Sequence, residues 1–173
     1  MNRSTLIGFP NPVNEKAARS VAGGVLALSV LTLVLALTLG DGWLWIVAAM
    51  AAGFLARVLT GPKLSPLGQL ATRVVAPRLG EPVLVAGPPK RFAQAIGTVV
   101  TGTAVVFLAL GRPGVTQALL GLMVVAAGLE SILGYCIGCK VFAGLMRLNL
   151  IPEQTCAACA NIAVRRADLD RVS

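Results

Sequence analysis

The chain contains no histidine. That absence removes Ser-His-Asp catalysis, haem sites with histidine ligands and the usual zinc hydrolase centres in one step. Charge is scarce as well: 13% of residues are Asp, Glu, Lys or Arg, where a soluble domain carries about 25%. Hydrophobic residues fill the gap at 56%, and the mean hydropathy is +0.82. A water-soluble fold cannot hide that much hydrocarbon, so the composition indicates an integral membrane protein. The formal net charge of +8 does not need nucleic acid to explain it, because membrane proteins collect Lys and Arg in their cytoplasmic segments. No phosphate-binding loop is present, and nucleic-acid binding has no support beyond charge.

Spanning a bilayer takes about 20 mostly apolar residues. Four stretches have that length: Val21–Leu39, Trp43–Leu59, Phe92–Leu110 and Gln117–Cys136. The segment before the first is too long and proline-bearing for a secretory signal, so the first span is expected to be retained. GDG (residues 40–42) joins the first two spans and GRPGVT (residues 111–116) the last two; these joints hold only one basic residue, Arg112. The other 14 of the 15 Lys and Arg fall on the opposite side or, as Arg57 does, at the end of a span facing it. The positive-inside bias then places both termini and the middle loop in the cytoplasm, with two tight hairpins outside. The expected fold is all-α: an integral membrane four-helix bundle of two hairpins with an interfacial helix. Residues 1–20 form a cytoplasmic N-terminal segment, 21–136 the membrane domain with its middle loop at 60–91, and 137–173 a cytoplasmic tail.

Within the middle loop, Ser65 can cap a short helix whose apolar residues Leu67, Leu70, Ala71, Val74 and Val75 recur at helical spacing. Such a helix could lie on the inner membrane surface or pack against the spans. Pro77, Pro82, Pro88 and Pro89 predict an extended return to the third span.

An ionisable side chain inside a span costs about 2.5 to 3.5 kcal/mol on insertion scales and so needs a partner or a task. Arg57 and Glu130 stand at similar distances from the starts of two spans that run the same way. A rise of about 1.5 Å per residue puts them at similar depth, which predicts an Arg57–Glu130 pair. Either the pair fixes helix packing, or Glu130 handles protons or substrate near the thiols. Lys90 and Arg91, before the third span, are expected to bind lipid phosphate or an acidic partner at the interface.

All four cysteines fall in two C-x-x-C pairs, Cys136 with Cys139 and Cys156 with Cys159, separated by 16 residues. In a reducing compartment that arrangement points to redox or metal chemistry before a structural bridge. Cys156, in the first turn of a tail helix capped by Thr155, would be the attacking thiolate, Cys159 its resolver, and Cys136 with Cys139 a second exchanging pair. Alternatively all four bind one zinc ion in a scaffold, for which the spacing is suitable. The inward-facing position disfavours the role of an oxidant for exported proteins. Between the pairs, KVFAGLMRLNLIP is amphipathic and predicts an interfacial helix.

The segments FPNPVNEKAARSVAG, GPPKRFAQAIGTVV and GLESILGYCIGCKVF resemble the bacterial membrane-protein family catalogued as domain of unknown function 4395, over about residues 9–145. The resemblance implies four spans, no assigned activity, and action near thioredoxin-like or rhodanese-like proteins, with Cys136 and Cys139 as the family-like pair. The expected function is therefore a membrane component of cytoplasmic thiol or sulfur metabolism, in contact with the lipid bilayer and a soluble thioredoxin-like or rhodanese-like partner, with a homo-oligomer also open. The two alternatives are the zinc scaffold and a small anion transporter subunit with Arg57 and Glu130 on its path. The sequence does not decide whether catalysis occurs.

Overall fold

The computed structural model describes residues 9–148 and 150. A two-residue strand, β1 (Val13–Asn14), leads into α1 (Glu15–Leu39). A tight 3-10 turn (Asp41–Trp45) opens α2 (Ile46–Thr60). The middle segment holds α3 (Pro66–Leu70), a π-helical turn (Ala71–Val75), α4 (Ala76–Arg78) and β2 (Leu84–Val85). The chain continues through α5 (Gly87–Ala109), α6 (Pro113–Leu133) and α7 (Ile137–Arg147). The helical segments 15–39, 41–60, 87–109 and 113–133 are each long and apolar enough to cross a membrane. This is a helical, multi-pass membrane protein.

Local chemistry sets the helix starts. Asn14 accepts the Lys16 N–H and caps α1, and Ser65 accepts the Gly68 N–H and caps α3. Prolines occupy the first turns of α3, α5 and α6, where a missing N–H costs nothing. The third span therefore begins at Gly87, not Phe92: Pro88 and Pro89, expected in an extended return, initiate α5 and carry Lys90 and Arg91 into it. The fourth span ends at Leu133, not Cys136, because Gly134 takes the left-handed conformation (φ 68°) that stops a helix. The β1–β2 ladder, pairing Val13 with Val85 and Asn14 with Leu84, has no counterpart in the all-α reading, since two-residue strands show no periodicity.

Packing runs α1 against α6, α6 against α5, and α5 against α2. The buried face of α5 carries Lys90, Gly97, Thr101 and Ala104, at helical spacing. Gly97 lets the Phe54 ring of α2 lie directly on the α5 backbone, where a Cβ would overlap the ring. Leu67 of α3 meets Gly24 of α1 in the same way, and Ala71 and Ala76 are buried. The middle helices thus pack on α1 while Leu70 stays exposed. On the outer face Leu31, Val34, Leu37, Val99, Val125 and Ile132 are exposed, as lipid contact requires and water would penalise.

Candidate functional site

The site lies where α6 gives way to α7, at the end of the bundle that also holds the start of α5 and the end of α2. Arg19 of α1 donates through Nη2 to the carbonyls of Ser131 (3.2 Å) and Ile132 (2.9 Å), satisfying the last turn of α6. The chain turns at Gly134, and Cys136 becomes the N-cap of α7, its Sγ accepting the Cys139 N–H at 3.4 Å. Cys136 is buried and Cys139 half-buried; both are free thiols. Within the CIGC motif Gly138 has a steric role. A Cβ there would lie 2.6 Å from the Ala93 Cβ of α5, so only glycine lets α7 begin this close to the bundle. One turn on, Phe142 packs on Phe92 with ring centroids 5.5 Å apart.

The two thiols are electrostatically unequal. The hydrogen bond from the Cys139 side chain lowers the Cys136 thiol below its ordinary value, helped by the Cys139 N–H and the positive charge of Lys90, against burial and Glu130. The same side-chain bond, burial and the charge of Cys136 push the Cys139 thiol up. A thiolate on Cys136 with its proton donor on Cys139 is the arrangement of an attacking and a resolving cysteine. Both cysteines line a surface groove with Glu15, Lys90, Tyr135 and Lys140, and Lys140 Nζ sits 5.5 Å from the Tyr135 ring centroid.

Beneath the thiols the predicted Arg57–Glu130 pair is not formed. Glu130 Oε1 instead accepts from Lys90 Nζ at 2.8 Å. Arg57 is buried, donating through Nε to Gln94 Oε1 (2.7 Å) and through Nη1 to Ser65 Oγ (2.9 Å), with its guanidinium 4.4 Å from the Phe54 ring centroid. The depth argument located both charges at the same end of the bundle, but α5 runs between α2 and α6. Its residues 90 and 94, one turn apart, serve the two charges separately. Lys90 is accordingly buried, where lipid phosphate was expected. Arg91, expected beside it, donates through Nε to the Val58 carbonyl at the end of α2 (3.0 Å). Lys90, Gln94 and Arg19 are the members of this site that the sequence reading missed or misassigned; the four-residue spacing of Lys90 and Gln94 was the available signal.

Cys156 and Cys159 lie outside the described residues, and with them the tail helix and the four-sulfur zinc set. Among the described residues no three His, Cys, Asp or Glu side chains are grouped to hold a metal ion; Cys136 and Cys139 offer two sulfurs. No curated protein and no solved structure matches the chain. The family model described as Domain of unknown function (DUF4395) matches residues 13–147. That span takes in all four membrane helices and the Cys136–Cys139 pair, and the chain belongs to this family.

Proposed function

We propose that the protein carries out thiol–disulfide exchange at the membrane surface, with Cys136 as nucleophile and Cys139 as resolving thiol. The observation that carries this reading is the hydrogen-bonded Cys136 sulfur that caps the start of α7, on the wall of a surface groove shared with Cys139. The partner is a soluble protein of thioredoxin-like or rhodanese-like type. Exposed Lys140 on the groove suits an acidic surface around the partner's own reactive sulfur. The crowding of basic residues at this end supports a cytoplasmic orientation for it, by the positive-inside bias.

In the exchange, the Cys136 thiolate attacks one sulfur of the partner's disulfide and the other sulfur leaves as a thiolate. Cys139 then attacks the Cys136 sulfur, forming the Cys136–Cys139 disulfide and releasing the partner as a dithiol; the reverse sequence oxidises a reduced partner. With Cys156 and Cys159 replaced by serine, a Cys139→Ser variant is expected to accumulate a mixed disulfide through Cys136 with a thioredoxin-like disulfide substrate. Cys136→Ser in the same background is expected to accumulate none. Equal trapping by both variants, or by neither, would overturn the proposal.

A further inference from the structure

Cys136 borders two separate spaces. One is the surface groove, which it shares with Cys139. The other is a cavity of about 200 Å³ inside the bundle, walled by Val25, Phe54, Val100, Met123 and Ala127. Gln94, Glu130 and Cys136 are its polar members, and all three come from the end of the bundle where the site lies. Ile96 and Leu122 also line it, and both are exposed on the outer surface of α5 and α6, so the space opens sideways toward lipid. For scale, a dry aliphatic cavity of about 150 Å³ accepts one benzene ring. Cys139 lies on the groove alone and Glu130 on the cavity alone. The attacking sulfur is thus the residue through which the water-facing and lipid-facing spaces meet.

We propose that the inner cavity binds the ring of a lipid-soluble quinone, which oxidises the Cys136–Cys139 dithiol. The occupant must be apolar enough to enter from the bilayer, flat enough for one ring's space, able to accept hydrogen bonds at its polar end, and able to take two electrons from a dithiol. A quinone meets all four conditions. Gln94 uses Oε1 to hold Arg57, which leaves its amide N–H groups as donors to a quinone oxygen. Glu130, whose Oε1 is held by Lys90 from behind, brings a carboxylate to the cavity wall beside Cys136 as a proton acceptor.

The step balances. The Cys136 thiolate adds to the ring, forming a C–S bond. Cys139, on losing its proton, attacks the Cys136 sulfur, which breaks the C–S bond and leaves both electrons on the ring. The two quinone oxygens take up the Cys139 proton and the proton Cys136 released on ionising. The dithiol becomes a disulfide and the quinone a quinol. A soluble dithiol entering the groove then reduces the disulfide, so electrons pass from the aqueous partner to the membrane carrier.

This inference rests on the exchange reading, and the test separates the two. The full chain with Cys156→Ser and Cys159→Ser, reduced and held in nanodiscs without oxygen, is given decylubiquinone while quinol absorbance and free thiols are followed. One quinol per disulfide formed is expected, and none from Cys136→Ser. Ala126→Phe, which fills the cavity wall, is expected to slow quinol formation about tenfold, the equivalent of ~1.4 kcal/mol. A photoreactive azidoquinone on the unsubstituted chain gives the site without relying on that variant folding; label on peptides containing 93–100 or 122–130 is expected. Protein that exchanges with a soluble disulfide but leaves decylubiquinone oxidised would overturn the quinone inference alone. Label elsewhere, or wild-type rates from a folded Ala126→Phe protein, would overturn the assigned cavity. Protein that does neither reaction would overturn both readings.

Discussion

At the scale of single residues, the proposed exchange depends on how unequal two sulfurs three positions apart can be made. Cys136 is lowered first by the hydrogen bond from Cys139, so its thiolate persists at a lower pH than that of an ordinary cysteine, whose midpoint is about 8.5. In a chain lacking Cys156 and Cys159, the pH midpoint for iodoacetamide alkylation of Cys136 is expected below that value. Replacing Cys139 with alanine removes the principal cause, and the midpoint should rise; an unchanged midpoint would show that the residue-139 N–H and Lys90 set the value instead. The Lys90–Glu130 contact obeys a different rule. Its side chains are only 10% and 16% exposed, and removing one member strands a charge in a poorly solvated place, costing about 3 kcal/mol. Lys90→Met should therefore lower unfolding stability in detergent, and Lys90→Met combined with Glu130→Gln should recover most of the loss. Additive losses would mean the two do not interact.

At the scale of elements, α5 organises the site. Its first two turns present Lys90 to α6, Gln94 to α2 and Ala93 to α7, and its Gly97 seats Phe54. The least yielding of these meetings is between Ala93 and Gly138, where the Ala93 Cα would also stand 2.7 Å from an added Cβ. Backbone cannot yield as a flexible side chain can, so Gly138→Val must push α7 off the bundle. Overpacking of this kind costs about 1–3 kcal/mol, and it falls on a helix outside the four-span core. The expected outcome is a protein that still inserts and keeps near-normal helical circular dichroism but has lost fast Cys136 alkylation. Wild-type reactivity in Gly138→Val would show that the contact with α5 does not position the thiol.

For the whole molecule the governing facts are its lipid-facing exterior and the gathering, among the described residues, of every Lys and Arg but Arg112 toward one end. If that end faces the cytoplasm, a membrane-impermeant maleimide added to intact cells should leave Cys136 and Cys139 unlabelled and should label them after lysis under reducing conditions. Labelling in unbroken cells would reverse the orientation and, with it, the compartment of the partner. The quinone route would survive that reversal, because the cavity opens to lipid whichever way the bundle points.

Composition and hydropathy established the membrane character, the four spans and their short joints, because each depends on runs of neighbouring residues in the chain. Start signals worked for the same reason: Ser65 caps the middle helix as its sequence context predicts. Resemblance over most of the chain supplied the family. The Cys136–Cys139 pair stood out by its spacing alone, but its capping geometry did not, since the fourth span stops before Gly134 and not at the cysteine. Which acid meets which base was decided only by the fold. Arg57 and Glu130 share a depth, yet α5 stands between their helices and partners each with its own side chain. The cavity behind Cys136 likewise belongs to no segment, having walls from all four spanning helices. Periodicity records how far each residue lies along its helix axis; it does not record which helices become neighbours, because that order follows from side-chain packing between segments distant in the chain.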